Sequence, residues 1–157
     1  GESIGIIASS DAKRLKPYGI HISTNNIEPT NWFLNPTDDI RSSGFLEDVA
    51  TEFDIQGLEL DWACIAWDAN LRKSESGWIT KKFLGTKWIN IKQEVRKRYL
   101  LNAYRVLLTR ARQGMIIFVP KGDENDSTRL PEFYDSVYNY LVQCGIPELR
   151  TNTNITP

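Results

Sequence analysis

The residues best suited to chemistry fall in two short stretches. Gln56-Gly57-Leu58-Glu59 places an amide, a flexible backbone point and a carboxylate in one tight turn just before a strand-like run. The glycine lets the main chain approach a ligand, and the Gln and Glu side chains can bond to hydroxyls or order water. The second stretch, Leu107 to Gly114 ("LLTRARQG"), sets Arg110 and Arg112 ahead of an unbroken apolar run, with Arg105 shortly before them. A guanidinium offers a planar donor fork that suits phosphate, and it keeps its charge. Taken singly, the first stretch reads equally well as an ordinary glycine turn. The second reads equally well as a helix end whose cations face the helix dipole. The two together are far more specific than either alone.

Other chemistries lack their residues. There is no G-x-x-x-x-G-K-[ST] loop and no G-x-G-x-x-G after a strand, and Gly85-Thr86-Lys87-Trp88 lacks the flanking residues of a phosphate loop. No apolar run ends in the paired acids that would hold magnesium, so this chain alone is not expected to hydrolyse a nucleotide. Cys64 and Cys144 have no Cys or His at ligand spacing, which argues against a zinc site and a disulfide framework and reads as two small buried hydrophobes. His21, the single histidine, has no partner for a triad.

Composition fits one soluble-type domain of 157 residues, 41% apolar and 25% charged, with no run long enough to span a membrane. A cytoplasmic location is the default expectation. The net charge of −1 conceals an asymmetry. Arg72 to Arg112 holds twelve Lys and Arg against two Glu, a local +10 that leaves −11 for the remainder. A basic block in an acidic chain suits a phosphate-bearing partner, and a solvated helix face with a lysine-rich loop suits it equally.

The elements that must position these groups alternate between strands and helices. "SIGIIAS" reads as a buried strand, "DAKRLKPYG" as a short helix broken at Lys16 by Pro17, and Gly19 to Arg41 as a connection with room for a short strand or two. The chain is extended again near Leu46 to Thr51, or forms a helical turn after Ser43. Trp62 to Asp68 reads as a strand, and Asn70 to Asn90 as an exposed insertion with a hairpin. Ile91, Val95, Tyr99, Ala103 and Val106 recur at helical spacing, predicting an amphipathic helix to about Arg112 ended by Gly114. "MIIFVP" follows as a buried strand stopped by Pro120. The last helix, from Glu132, carries Phe133, Val137, Tyr140, Leu141 and Cys144 on its inner face. Apolar runs with helices between them predict an α/β fold with a parallel sheet covered on both faces. Trp62 and Trp67 read as core. Trp78 and Trp88 lie among Lys81, Lys82 and Lys87, where a stacking role for single strands competes with simple packing on the domain.

Q-G-x-E before a strand, then T-R-A-R leading into an apolar strand, resembles motifs V and VI of superfamily 1 helicases. With "IGIIASSDAKRL", "TEFDIQGLELDW", "LNAYRVLLTRARQGMIIFVPKGD" and "DSTRLPEFYDSVYNYL", the chain from about Ile4 to Gly145 resembles the C-terminal part of the Schlafen group-3-like DNA/RNA helicase domain. The resemblance implies a second RecA-like (P-loop NTPase-type) domain over residues 1–157, with an insertion at about 70–90. The first RecA-like domain, with the P-loop, is expected elsewhere in the polypeptide.

The same resemblance implies a role for each matching position. Arg110 would be the finger that reaches the γ-phosphate, with Arg112 secondary. Gln56, Gly57 and Glu59 would sense the nucleotide, Glu59 near the ribose. Thr51 and Glu52 would touch the nucleic-acid backbone, although many relatives carry His where Glu52 stands. Lys81 and Lys82 are the further nucleic-acid candidates. Asp126, Thr128 and Arg129 match a family feature whose mechanism the sequence does not reveal. ATP with Mg is the implied cofactor of the intact protein, not held tightly by this chain alone. The implied partners are single-stranded DNA or RNA and the first RecA-like domain. A motor, a non-catalytic binding module on the same fold, and an ATP switch that never translocates all follow from this pattern. Retention of Arg110 with Gln56 and Glu59 favours the first and third, since a pure binder has no use for a γ-phosphate sensor.

Overall fold

The computed structural model describes residues 2–22, 49–56 and 60–149. In chain order the elements are β1 (Ile4–Ala8), a 3-10 turn (Lys16–Tyr18), β2 (Val49–Ala50), β3 (Leu60–Ala66), β4 (Leu71–Ser74), β5 (Gly77–Leu84), β6 (Lys87–Asn90), α1 (Glu94–Leu108), β7 (Ala111–Phe118) and α2 (Pro131–Gln143). The apolar runs pair as a four-stranded parallel sheet in the order β2-β1-β3-β7.

Register explains the two faces. Ile7, Ile65 and Ile117 align across β1, β3 and β7, and Ile6, Cys64 and Ile116 form the neighbouring row. Because side chains alternate along a strand, the rows point to opposite faces. The first row enters a core with Leu100, Tyr104 and Leu107 of α1, and Ile55 from the chain between β2 and β3. Burying such side chains contributes about 1.5–3 kcal/mol each. The second face is covered at its C-terminal end by Ala12, Leu15, Tyr18 and Ile20. Among the described residues this cover is turn and 3-10 helix, where a helix from Asp11 to Lys16 was predicted. Pro17 lies in the first turn of that 3-10 helix, and Gly19, at φ 78°, closes it. The predicted connection from Gly19 to Arg41 lies outside the described residues beyond Ile22.

The insertion forms a three-stranded antiparallel meander, β4-β5-β6, one strand more than a hairpin. It is pinned to the domain by its aromatics. Trp78 stacks on Trp67 at 6.0 Å and meets Tyr140 edge-on, while the Trp88 indole N–H donates to the Thr128 carbonyl at 2.8 Å. Arg72 lies 3.5 Å from the centroid of the Phe133 ring. Packing on the domain is thus the observed role of Trp78 and Trp88.

Four expectations are corrected. The first helix stops at Leu108 and Gly114 lies inside β7, because side chains rather than glycine satisfy the last carbonyls. Thr109 Oγ1 donates to the Arg105 carbonyl at 2.8 Å and Arg110 Nε to the Val106 carbonyl at 3.3 Å. Trp62 is 39% exposed rather than core; its ring lies over Gly114, where an added Cβ would come within 2.4 Å of the indole, and its N–H donates to Glu2. On α2 the predicted Val137 is fully buried and Leu141 packs against the core, but Tyr134, which was not predicted, is fully buried as well, its hydroxyl reaching the buried Asp68 at 3.2 Å. Cys144 is exposed, at the end of α2.

Polar groups gather at the C-terminal ends of β1 and β3. Asp68 is fully buried and accepts from the Arg14 and Ala69 main-chain N–H groups. Tyr104 donates to Asn70 Oδ1 at 2.6 Å, and the Asn70 amide donates to Ser9 Oγ. Burial pushes the Asp68 carboxyl above its ordinary range, against those donors.

Candidate functional site

The predicted site residues divide between the two ends of the sheet. At the N-terminal ends of β3 and β7, the Leu60 main-chain N–H donates to the Arg110 carbonyl at 3.2 Å, and Leu60 pairs with Ala111. Leu60 directly follows the Q-G-x-E residues in sequence, so the two motif stretches are joined by a main-chain bond although 50 residues separate Leu60 from Arg110. Gln56 is exposed; Gly57 and Glu59 lie outside the described residues. Arg110 is half-buried at the helix–strand junction, with its Nε fixed on the last turn of α1.

The strand beyond Arg110 is irregular. Leu60 pairs with Ala111 but Trp62 with Gly114, so β7 carries one extra residue there. Such a bulge re-aims side chains, and bulges concentrate near functional sites. Here it sets Arg112 and Gln113 against Asp61. The Ser3 main-chain N–H, donating at 2.9 Å, is the largest influence holding the Asp61 carboxyl below its usual range. The Ser3 hydroxyl, Gln113 and the Arg112 charge add to it, against some desolvation. Arg105 is exposed and donates to Asn102 Oδ1 at 3.4 Å, one turn back on α1.

At the opposite end of the sheet, past β2, Thr51 and Glu52 start a tight turn. Thr51 N–H and Oγ1 both donate to Asp54 Oδ2, at 2.8 and 3.0 Å. Glu52 is only 7% exposed, and its carboxylate accepts from the Ser10 N–H at 2.9 Å and the Ser10 hydroxyl at 2.5 Å. Its side chain therefore locks the turn after β2 to the loop after β1. The Tyr99 hydroxyl of α1 lies beside the same carboxylate, and burial followed by the Glu52 charge pushes it up to about 12. Thr51 and Glu52 are thus brought together with Ser10 and Tyr99, and not with Arg110.

Lys81 and Lys82 are adjacent on β5 and point to opposite sides of the meander. Lys82 is exposed. Lys81 is partly covered, and burial with the nearby Arg72 charge lowers its ammonium below the ordinary value. Strand alternation keeps the two from gripping one phosphate. Among the described residues no group of three or more His, Cys, Asp or Glu converges as a metal site, and no helix is long and apolar enough to cross a membrane.

Sequence reasoning left Asp126, Thr128 and Arg129 without a role, and geometry supplies one. Asp126 accepts from Thr128 N–H and Oγ1, from Arg129 Nε at 2.9 Å and from Arg14 at 3.0 Å, while Arg14 Nε donates to Thr128 Oγ1. The Thr128 bonds first, then Arg129 and Arg14, hold this carboxyl far below the usual range. The loop after β7 is thereby bound to the loop after β1. Gly122 makes the closure possible: its φ is 77°, and a Cβ there would lie 2.6 Å from the Arg129 carbonyl. Arg14 and Asp126 are 112 residues apart, so no local pattern could have announced the pair.

No curated protein and no solved structure matches the chain. One family model, described as Schlafen group 3, DNA/RNA helicase domain, matches residues 1–121, which takes in both motif stretches and the bulge but stops short of the Asp126 loop and α2. With 121 of its 157 residues matched, the chain belongs to the Schlafen group 3 DNA/RNA helicase domain family.

Proposed function

We propose that this chain is the second RecA-like domain of an ATP-driven DNA or RNA translocase. The observation that carries the reading is the main-chain bond from Leu60 to Arg110, which seats the T-R-A-R stretch against the residue that follows Q-G-x-E, on neighbouring parallel strands. The N-terminal strand ends then form one ligand-facing edge. ATP with Mg would be held mainly by a preceding RecA-like domain, and its chemistry is transfer of the γ-phosphoryl group to water. Arg110 supplies fixed positive charge to the γ-phosphate oxygens. Fingers of this type contribute ~10³–10⁵ in rate. Its Nε bond to the Val106 carbonyl holds the side chain against a rigid helix end, which suits a group that must reach one point when the cleft closes.

Gln56, Gly57 and Glu59 take the nucleotide-sensing role that the resemblance gives them, with Glu59 as the ribose contact. Arg112 acts from the bulge beside Asp61. The turn at Thr51 and Glu52, locked to Ser10, relays cleft closure to a nucleic-acid strand at the far end of the sheet, and exposed Lys82 adds charge on the meander. Repeated closure and reopening step the pair of domains along the strand.

The test is hydrolysis of ATP by the intact protein with and without single-stranded DNA or RNA, in wild type and Arg110→Ala. Stimulation by the strand, lost in the variant while nucleotide affinity and folding persist, is the expected result. Hydrolysis indifferent to Arg110 sinks the motor reading and leaves a binding module.

A further inference from the structure

Phe53 and Tyr99 stack on each other at the C-terminal end of the sheet, with ring centroids 6.0 Å apart and planes 28° from parallel. Both are open to solvent: Phe53 is 62% exposed and Tyr99 43%. Val95, one helical turn before Tyr99, is 77% exposed and extends the apolar ridge. A single exposed apolar residue is ordinary, but a preassembled pair of rings on two anchored elements is not. Phe53 belongs to the turn fixed by the Thr51–Asp54 and Glu52–Ser10 bonds, and Tyr99 belongs to a 15-residue helix.

The charge around the pair is sorted. Carboxylates of Glu52 and Asp11 face the Tyr99 hydroxyl, so a phosphate is repelled from the rings themselves. Exposed Arg98 and Arg105, seven residues apart and therefore on one stripe, lie along the outer surface of α1 on the same helix. A ligand with a flat uncharged face next to an anionic backbone fits this pattern, and an unpaired base in a single strand has that form. A purely apolar protein segment would leave the two arginines unused, and free phosphate would leave the rings unused.

We infer that the Phe53–Tyr99 pair is a stacking platform for one unpaired base of a single-stranded nucleic acid whose phosphates follow the cationic outer face of α1. The inference rests on the translocase reading for its partner, and it adds a contact made through base faces rather than through the motif residues. Stacking is tolerant of base identity, which suits a protein that must move along any sequence.

The test measures binding of the intact protein to fluorescent oligothymidylate and to an abasic sugar-phosphate polymer of equal length. Wild type, Phe53→Ala and Phe53→Trp are compared, with circular dichroism to verify folding. The expected result is that Phe53→Ala weakens oligothymidylate binding about tenfold, the weight of one stacked base, and leaves abasic binding unchanged, while Phe53→Trp restores it. Equal affinity of wild type and Phe53→Ala for oligothymidylate overturns the platform and leaves the translocase reading standing. An equal loss on both polymers also overturns it, since that is an effect on the fold or on the phosphate path. Retained strand binding with loss of a protein partner in Phe53→Ala reassigns the ridge to protein. Failure of wild type to bind either polymer sinks the nucleic-acid reading itself.

Discussion

Removing the Asp126 carboxylate tests whether the loop after β7 is held to the loop after β1 by charge or merely rests there. Asp126 accepts two bonds from Thr128, at 2.9 and 2.6 Å, and one from each of two guanidinium groups, at 2.9 and 3.0 Å. The Thr128 bonds contribute about 1 kcal/mol each. Each guanidinium pair adds at most about 1 kcal/mol, because the Asp126 and Arg14 side chains are still about one-quarter exposed and water screens them. Asp126→Ala is therefore expected to lower stability by about 2–4 kcal/mol at neutral pH, a fall in Tm of roughly 5–15 °C. Asp126→Asn keeps Oδ1 as the acceptor for Thr128 but loses the charge and the Oδ2 acceptor of both guanidinium groups, so about 1–2 kcal/mol is expected. The pH dependence has a definite sign. The folded-state pKa is depressed, so the stabilisation is fully present above the ordinary carboxylate range near ~4 and is lost as pH falls toward the folded value. Urea unfolding of wild type and Asp126→Asn at pH 7 and at a pH below the ordinary carboxylate range near ~4 is the assay. A gap that is absent at pH 7, or that does not shrink on acidification, would refute the electrostatic account.

Three further outcomes are expected. Arg72 stacks on Phe133 and donates from Nε to the Ala69 carbonyl, yet its NH2 nitrogen is buried without a partner and burial pushes the guanidinium down to about 10; Arg72→Met should cost less than about 1 kcal/mol or stabilise the domain in urea melts. Gly114→Ala drives a methyl into the Trp62 ring and should cost about 1–3 kcal/mol, with a shift in tryptophan emission; unchanged emission would mean that the ring does not cover the strand. Glu52→Gln removes the negative charge beside the Tyr99 hydroxyl, so ultraviolet titration should show that tyrosine ionising below its wild-type value of about 12 yet above an ordinary tyrosine, because burial, the larger cause, remains.

The parallel sheet was legible because an unbroken apolar run such as "IGIIA" has no solvent-facing alternation, a pattern that suits a strand buried on both faces, whereas "MIIF", predicted as a buried strand, has no fully buried residue. β7 is an edge strand with Met115 and Ile116 well exposed, a fact set by strand order, which no local pattern encodes. The meander was legible as an insertion from its glycines. Its third strand was not, since β6 is defined only by pairing with β5. The Asp126 loop and the Glu52–Ser10 lock were invisible for a similar reason. Each joins residues at least 42 positions apart, and a carboxylate in sequence does not say which donors will surround it.

The motif residues themselves show where pattern and geometry part. In sequence Arg110 and Arg112 form an R-A-R pair, and on a regular strand residues two apart share a face. The helix end and the bulge undo that pairing. Thr109 and the Arg110 Nε satisfy the carbonyls of the last turn of α1, so the helix stops there and Arg110 is held at the junction. One residue later the register slips, and Arg112 is aimed at Asp61. Arg110, predicted as the finger, and Arg112, the secondary candidate, therefore have different surroundings, one at a helix terminus with its carbonyl bonded to Leu60 and one against a carboxylate that already offsets its charge. That difference, rather than the number of cations at the edge, is what supports the proposal that Arg110 makes the γ-phosphate contact.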